Sequence, residues 1–257
     1  MQLVLEEVGY AYGDLPVLDK ISFSVAEGET AALIGPSGCG KSTLLNLVGG
    51  LLQQQRGRIA SHGAPPPGCL NPFTFVFQDF ALLPWRSVAG NVALALEHHR
   101  LSRAERDGRV AEVLKLCGLA DFADALPKQL SGGMRQRVGI ARAIAVKPAV
   151  LLMDEPLSAL DAQTRELLME DLVSIWGRER TTTLYVTHNL AEAVRLADHV
   201  VVLSRRPGRL KKIVGINIPV SERSKPEHAA ELQNLHDELW TLIKAEAQVA
   251  DREMLDV

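Results

Sequence analysis

The chain has 257 residues, 47% of them hydrophobic and 23% charged, with a formal net charge of −3. That size and apolar content suit one large domain, or one domain with a sizeable insert, around a substantial core. With 28 Lys and Arg against 31 Asp and Glu, there is no basic excess to neutralise phosphates, and no nucleic-acid partner is expected. No apolar run approaches the ~20 residues needed to span a bilayer. The start, Met1-Gln2-Leu3-Val4-Leu5-Glu6-Glu7, lacks the basic stretch and small-residue cleavage site of a signal peptide. A cytosolic location is therefore expected, with any membrane contact made through a partner. Cys39, Cys69 and Cys117 are widely spaced and form no metal-ligand pattern, which fits a reducing compartment.

In chain order, Leu3, Leu5 and Val8 give an imperfect strand alternation, and Val17 to Val25 a second one that ends at Glu27-Gly28-Glu29. Thr30 to Ile34 is a short apolar run, expected as a buried strand that leads straight into Gly35. Lys41 to Val48 carries Leu44, Leu45, Leu47 and Val48, the pattern of a helix packing back on a sheet. Gly63 to Gly68 holds three consecutive prolines and reads as a surface loop. Phe73 to Phe77 is a strand again. From Val88 to about Arg142 the apolar spacing turns helical, through Leu94, Leu96, Val110, Val113, Leu114, Leu116 and Leu119. That stretch reads as a helical insert between two parts of a parallel sheet. Ala149 to Met153, Thr182 to Val186 and Val200 to Leu203 are unbroken apolar runs of the kind found in central parallel strands. From Pro226 to Gln248, Leu232, Leu235, Leu239 and Leu242 share one helical stripe, expected to dock onto the domain. The whole reads as an α/β fold with a mostly parallel sheet.

The strongest chemical signal is Gly35-Pro36-Ser37-Gly38-Cys39-Gly40-Lys41-Ser42, which matches the G-x-x-x-x-G-K-[ST] phosphate loop. Its glycines let the backbone curl so that successive N–H groups face the phosphates, and the following helix aims its positive end at the same anion. Lys41 can reach the β- and γ-phosphates, and the Ser42 hydroxyl can ligate Mg²⁺. MgATP binding and hydrolysis are therefore expected, with Thr43 beginning the contact into the helix. Asp154-Glu155 ends an apolar strand, where ligands of parallel sheets sit. Asp154 is expected to hold the metal and Glu155 to take a proton from an attacking water. Leu130-Ser131-Gly132-Gly133-Met134-Arg135-Gln136 is a Ser-Gly-Gly turn before a helix, either a plain helix cap or a second anion site.

Taken together, these motifs make the chain resemble the ATP-binding cassette (ABC) ATPase subunits of membrane transporters, from Leu3 to about Ser221. In the family's order, Gly35 to Ser42 matches Walker A, Gln78 the Q-loop, and Leu130 to Gln136 the signature. Val150 to Glu155 matches Walker B with its catalytic glutamate, Ser158-Ala159-Leu160-Asp161 the D-loop, and His188 the switch histidine. Tyr12 fits the aromatic that stacks on adenine, with Tyr10 a competing candidate. The resemblance implies a P-loop NTPase core, an N-terminal antiparallel β subdomain and an inserted helical subdomain at about 86–142, with residues 1–225 forming the ATPase domain and 226–257 a helix and tail. It also implies a head-to-tail dimer with a second copy of the chain. Each ATP would lie between Walker A of one copy and Ser131, Gly132 and Gly133 of the other. Gln78 would sense the γ-phosphate and contribute to the metal, and His188 would hold the γ-phosphate and the attacking water.

Leu83-Pro84-Trp85, then Val88 and Asn91-Val92, is similar to the nitrate/sulfonate/taurine group of importers, as are Leu157-Ser158-Ala159-Leu160-Asp161 followed by Thr164-Arg165-Glu166, and Arg206-Pro207-Gly208-Arg209. Leu83 and Trp85 would anchor a membrane permease, or else cap the helical insert. An extracytoplasmic substrate-binding protein would complete the assembly on the other side of the membrane. Leu157-Ser158 replaces a usual Phe-Gly, Asn189 a common Asp or Glu, and Gly139 a common Ala. Relatives in that group also move pyrimidine precursors or riboflavin, so the substrate stays open. A soluble ABC ATPase is an alternative, although such chains carry two cassettes or a long coiled coil. A monomeric P-loop kinase or GTPase is another, and neither needs Leu130 to Gln136.

Overall fold

The structure, a computed structural model, describes residues 1–178 and 181–255. In chain order the elements are β1 (Gln2–Tyr12), β2 (Leu15–Val25), β3 (Thr30–Ile34), α1 (Lys41–Val48), β4 (Arg56–His62), β5 (Phe73–Val76), α2 (Val88–Leu94), α3 (Arg103–Leu116), α4 (Gly132–Ile144), β6 (Val150–Asp154), α5 (Ala162–Arg178), β7 (Thr182–Val186), α6 (Leu190–Leu196), β8 (His199–Leu203), β9 (Leu210–Gly215) and α7 (Ala229–Leu255). They fall into two compact units, Met1–Gly63 with Arg180–Val257, and Ala64–Glu179.

In the first unit, β2, β1 and β4 form an antiparallel sheet in that order. Leu3 lies opposite Val25 and Leu5 opposite Phe23, and all four are buried. The alternation of β1 looked imperfect in sequence because its register shifts between Leu5 and Val8 and again between Val8 and Tyr10, with Glu7 at φ 50°. The second sheet of this unit is built on β3, whose five residues are all buried between the parallel strands β7 and β8. Cover on both faces explains the unbroken apolar runs. Antiparallel β9 pairs with β8, Val200 opposite Val214.

Helix α7 begins three residues later than the expected start at Pro226, after a single 3-10 turn over Pro226–His228. Its leucine stripe packs as expected: Leu239 is fully buried, with Leu232, Leu235 and Leu242 beside it, against Ile34, Val194, Val200 and Val202. Each such leucine contributes on the order of 1.5–3 kcal/mol when fully buried. The last positions of the expected tail, 256 and 257, lie outside the described residues. Buried Arg223 ties the connector before α7 to the C-terminal end of α6 by donating to the carbonyls of Val194 and Ala197, and also to that of Ile218 in the connector itself, and burial lowers its pKa to about 10.

The second unit holds parallel β5 and β6, Phe73 opposite Val150, with α2, α3, α4 and α5. The helical periodicity from Val88 to Arg142 is realised as three helices with 3-10 turns at Ala120–Phe122 and Pro127–Gln129. Ser102 and Glu105 form a capping box at the start of α3. Arg137 of α4 pairs with Asp171 of α5 at 2.5 Å.

Gly139 on α4 explains one departure from the family pattern. A Cβ there would overlap the ring of Phe80, which packs directly against the bare backbone. Arg142, one turn on, donates to the carbonyls of Phe80 and Ala81. The segment after Gln78 is thus seated on α4 by a ring in a glycine notch. Gly139→Ala is expected to destabilise the chain by about 1–3 kcal/mol through overpacking. Adding Phe80→Leu is expected to recover part of that. Urea unfolding of both variants checks it, and a single-variant loss below about 0.5 kcal/mol would rule out a tight fit.

Candidate functional site

The first unit carries the phosphate loop, Tyr12 and His188; the second carries Gln78, the Ser131 turn, Asp154 and Glu155. In the loop, Gly38 and Gly40 lie at φ 75° and 105°, left-handed values that glycine adopts without strain. Gly40 is also boxed in, since a Cβ there would sit 2.8 Å from Leu18 Cδ2 and 2.9 Å from Val17 Cγ1. It precedes α1 as the N-cap and offers no side-chain acceptor, so no side chain of the cap takes up the first N–H groups of the helix. Those donors and the helix dipole are what an anion needs.

Lys41 is buried, and its Nζ donates to the carbonyls of Gly35, at 2.8 Å, and Pro36, at 3.0 Å. The ammonium is therefore folded onto the carbonyls of the loop. Ser37, Gly38 and Ser42 are exposed at the mouth, whereas Cys39 is buried. Desolvation is the main cause that raises the Cys39 thiol pKa, so this thiol stays protonated and acts as a small filler. Tyr12 ends β1 half exposed and meets Tyr10 edge-on at 5.0 Å, so the exposed face of the pair belongs to Tyr12.

At the end of β7, His188 is exposed and follows buried Thr187. Glu192, which sequence reasoning passed over, is buried beneath it and accepts from Tyr185 Oη at 2.9 Å and Thr187 Oγ1 at 2.7 Å. Thr187 Oγ1 accepts in turn from the Asn189 N–H. Asn189 caps α6, with its Oδ1 accepting from the N–H groups of Ala191 and Glu192. Asparagine thus supplies the cap acceptor that the family's Asp or Glu would supply. A fully bonded network of this kind fixes the backbone on both sides of His188.

In the second unit, Ser131 is the N-cap of α4 and accepts from the Met134 N–H. Ser131 and Gly132 are exposed, and Gly133 is buried. A Cβ on Gly133 would come 2.6 Å from Thr164 Cγ2, which ties the glycine requirement to the first turn of α5. Arg135 donates to the Leu130 carbonyl and holds the turn that leads into the helix.

Asp154 ends β6, and Glu155 follows it at φ 46°. A left-handed backbone is uncommon for a residue other than glycine. Ser158 holds it there, through Oγ at 2.9 Å and N–H at 3.2 Å to the Glu155 carbonyl. The serine that departs from the family's Phe-Gly therefore closes this turn, and Leu157 beside it is fully buried. Arg165 of α5 braces the same segment by donating to the carbonyls of Leu157 and Leu160. Asp161 accepts from the Thr164 N–H, which holds its carboxyl below the usual range.

Gln78 is exposed, as are Pro84 and Trp85. Trp85 is 73% accessible, so it does not cap the helical insert. Its loop is organised by Asn91, fully buried in α2. The Asn91 Oδ1 accepts from the Leu83 N–H, and its Nδ2 donates to the carbonyls of Leu83, Arg86 and Ser87. Near that loop Ala89, Gly90, Ala93, Val110, Ala111 and Leu114 line an apolar cavity of about 440 Å³ between α2 and α3. Among the described residues, no helix is long and apolar enough to cross a membrane, and no group of three or more His, Cys, Asp or Glu residues is gathered to hold a metal.

A family described as ABC transporter matches residues 18–158. The taurine import ATP-binding protein TauB of Rhizobium johnstonii is 50% identical over 195 residues, 75% of this chain and 74% of that protein. The fold is similar to that of the bacterial ABC transporter cassette MJ0796 in its dimeric form, with a TM-score of 0.70 and 32% identity over 84% of this chain and 99% of that one. It is also similar to the same cassette as a dimer in a post-hydrolysis state bound to ADP and Pi, with a TM-score of 0.69, 32% identity and the same coverage. With the phosphate loop, the Ser-Gly-Gly helix start and the Asp-Glu strand end all in the family's order, this chain belongs to the ABC transporter family as an ATP-binding cassette.

Proposed function

We propose that this chain is the ATP-hydrolysing subunit of an importer for a small anion or organic molecule, in the taurine, nitrate and sulfonate group. It works as a head-to-tail dimer on the cytoplasmic face of the membrane, beneath a permease fed by an extracytoplasmic binding protein. The observation that carries this reading is the presence in one chain of two helix starts suited to anions. One is the glycine loop before α1 with its buried Lys41; the other is the exposed Ser131-Gly132 start of α4. A monomeric kinase or switch has no use for the second.

The triphosphate lies in the loop from Gly35 to Thr43. The N–H groups of the loop and of the first turn of α1 cradle it, and Lys41 turns its ammonium to the β- and γ-phosphates. Tyr12 stacks on the adenine. The Ser42 hydroxyl, the Gln78 amide oxygen and the Asp154 carboxylate would hold the metal, all through oxygen. That donor set fits Mg²⁺ and disfavours softer ions. When bound, the ion neutralises charge on the β- and γ-phosphate oxygens. Glu155 takes a proton from the attacking water, and the exposed His188 orients that water and the γ-phosphate. Ser131 and Gly133 of the second copy contact the same phosphate. ATP thus holds the dimer closed, and hydrolysis with phosphate release lets it open.

Trp85, with Leu83, anchors the permease. The hydrogen bonds of Asn91 fix that loop, and the apolar cavity beside α2 gives a helix of the permease somewhere to rest.

Lys41→Ala is expected to raise the Kd for ATP at least about tenfold, read with a fluorescent nucleotide. Unchanged affinity would count against the loop. Glu155→Gln is expected to keep ATP binding and lose about a hundredfold or more in turnover. Size-exclusion chromatography should show this variant as a dimer in ATP and a monomer without it. Remaining a monomer in saturating ATP would remove the split-site reading. Trp85→Ala is expected to leave the ATPase rate of the purified subunit within about twofold while uptake by the assembled transporter falls about tenfold or more. Normal uptake by that variant would sink the docking role.

A further inference from the structure

The turn Arg206-Pro207-Gly208-Arg209 has no part in the scheme above, yet it lies against the phosphate loop. Gly208 donates its N–H to the Val17 carbonyl at 2.8 Å and accepts from the Asp19 N–H at 2.9 Å, bridging the chain at Leu18. Leu18 and Val17 are the residues that box in Gly40. A Cβ on Gly208 would overlap the carbonyl oxygen of Cys39 in the loop itself. No positive φ requires glycine at this position, so the requirement is close approach. Arg209 fastens the turn to β2, through Nε at 2.9 Å and a second nitrogen at 2.8 Å to Asp19.

The other side of the turn meets the C-terminal helix. Glu246 of α7 accepts from the Arg205 N–H at 3.0 Å with one oxygen and from Lys211 Nζ at 2.7 Å with the other. Burial raises its carboxyl pKa, but these donors outweigh burial and hold it below the usual range. A cavity of about 390 Å³ lined by Arg205, Arg206, Arg209, Lys211 and Glu246 separates turn and helix. The bridge across it is therefore made by polar contacts and can be released without unpacking the leucine stripe.

We propose that Gly208 is a positioning residue that backs the phosphate loop, and that Glu246 latches the C-terminal helix to this backstop, so that the helix sets affinity for nucleotide. The proposal rests on the phosphate-loop reading above. The helix is then a lever with its fulcrum at the leucine stripe and its tip on the turn. Releasing the tip lets the turn retreat from Cys39 and loosens the curl that presents the loop N–H groups to the anion. Because the contacts of the turn are made to Val17, Asp19 and the Cys39 carbonyl behind the phosphate loop, the effect falls on binding and leaves the chemical step intact.

Gly208→Ala is expected to raise the Kd and KM for ATP about tenfold, with kcat at saturating ATP within about twofold. Glu246→Ala and Arg209→Ala, which leave the crowded backbone untouched and stand in if Gly208→Ala fails to fold, are expected to raise both about three- to fivefold. Glu238→Ala is the control. It removes an equivalent pair, Glu238 to Lys212 at 2.6 Å, between the same helix and the same strand away from the turn. It is expected to leave the ATP Kd unchanged. Equal shifts for Glu238→Ala and Glu246→Ala would reduce the latch to general helix docking and overturn the proposal. So would unchanged Kd in Glu246→Ala and Arg209→Ala. Lys41→Ala, measured in parallel, separates this failure from the other: if it alone keeps full affinity, the phosphate-loop reading is wrong and the backstop has nothing to back.

Discussion

The site depends on an unusual arrangement of backbone polarity, a helix whose N-cap supplies no side-chain acceptor. Most helices close their N-terminus with a side-chain acceptor, as α2, α3, α4 and α6 do here with Ser87, Ser102, Ser131 and Asn189. At α1 the N-cap is Gly40, which has no side chain to spend, and the following lysine satisfies its own buried ammonium on the carbonyls of Gly35 and Pro36. Two of the loop's acceptors are thus turned to a cation. A polyanion at this helix start would draw the ammonium from those carbonyls to its own oxygens.

Much of this was legible in the chain. The buried strands announced themselves as unbroken apolar runs because they are covered on both faces, and the phosphate loop did so because few sequences can satisfy its geometry. The supports of the site were not legible. Glu192 looks like any helix-surface acid in sequence, and only the fold buries it against Tyr185 and Thr187. Gly139 and Gly208 read as substitutions or as a subgroup mark, because close approach of a ring or a carbonyl is a property of tertiary packing. Trp85 had two sequence readings, anchor or cap, and its exposure speaks only against the second. The start of α7 was misplaced by one turn because Pro226 is equally at home in a 3-10 turn and at the first position of a helix.

The departures from the family pattern share a physical logic. Each keeps a local hydrogen-bond or packing requirement and changes the residue that meets it. Ser158 closes the Glu155 turn with its hydroxyl, Asn189 caps α6 with an amide oxygen, and Gly139 yields its volume to Phe80. None of them alters a group that would touch nucleotide. Subgroup identity can drift in this way while the reacting constellation stays put.

Asn91 illustrates how specificity and structure are kept apart. One buried amide satisfies four backbone groups of the segment from Leu83 to Ser87, so that segment takes its path from a residue outside it. The side chains at its tip are released from any duty to hold it together. Exchanging them would change the surface that the tip presents without refolding the loop, whereas a single change at position 91 would disturb the path of the whole segment.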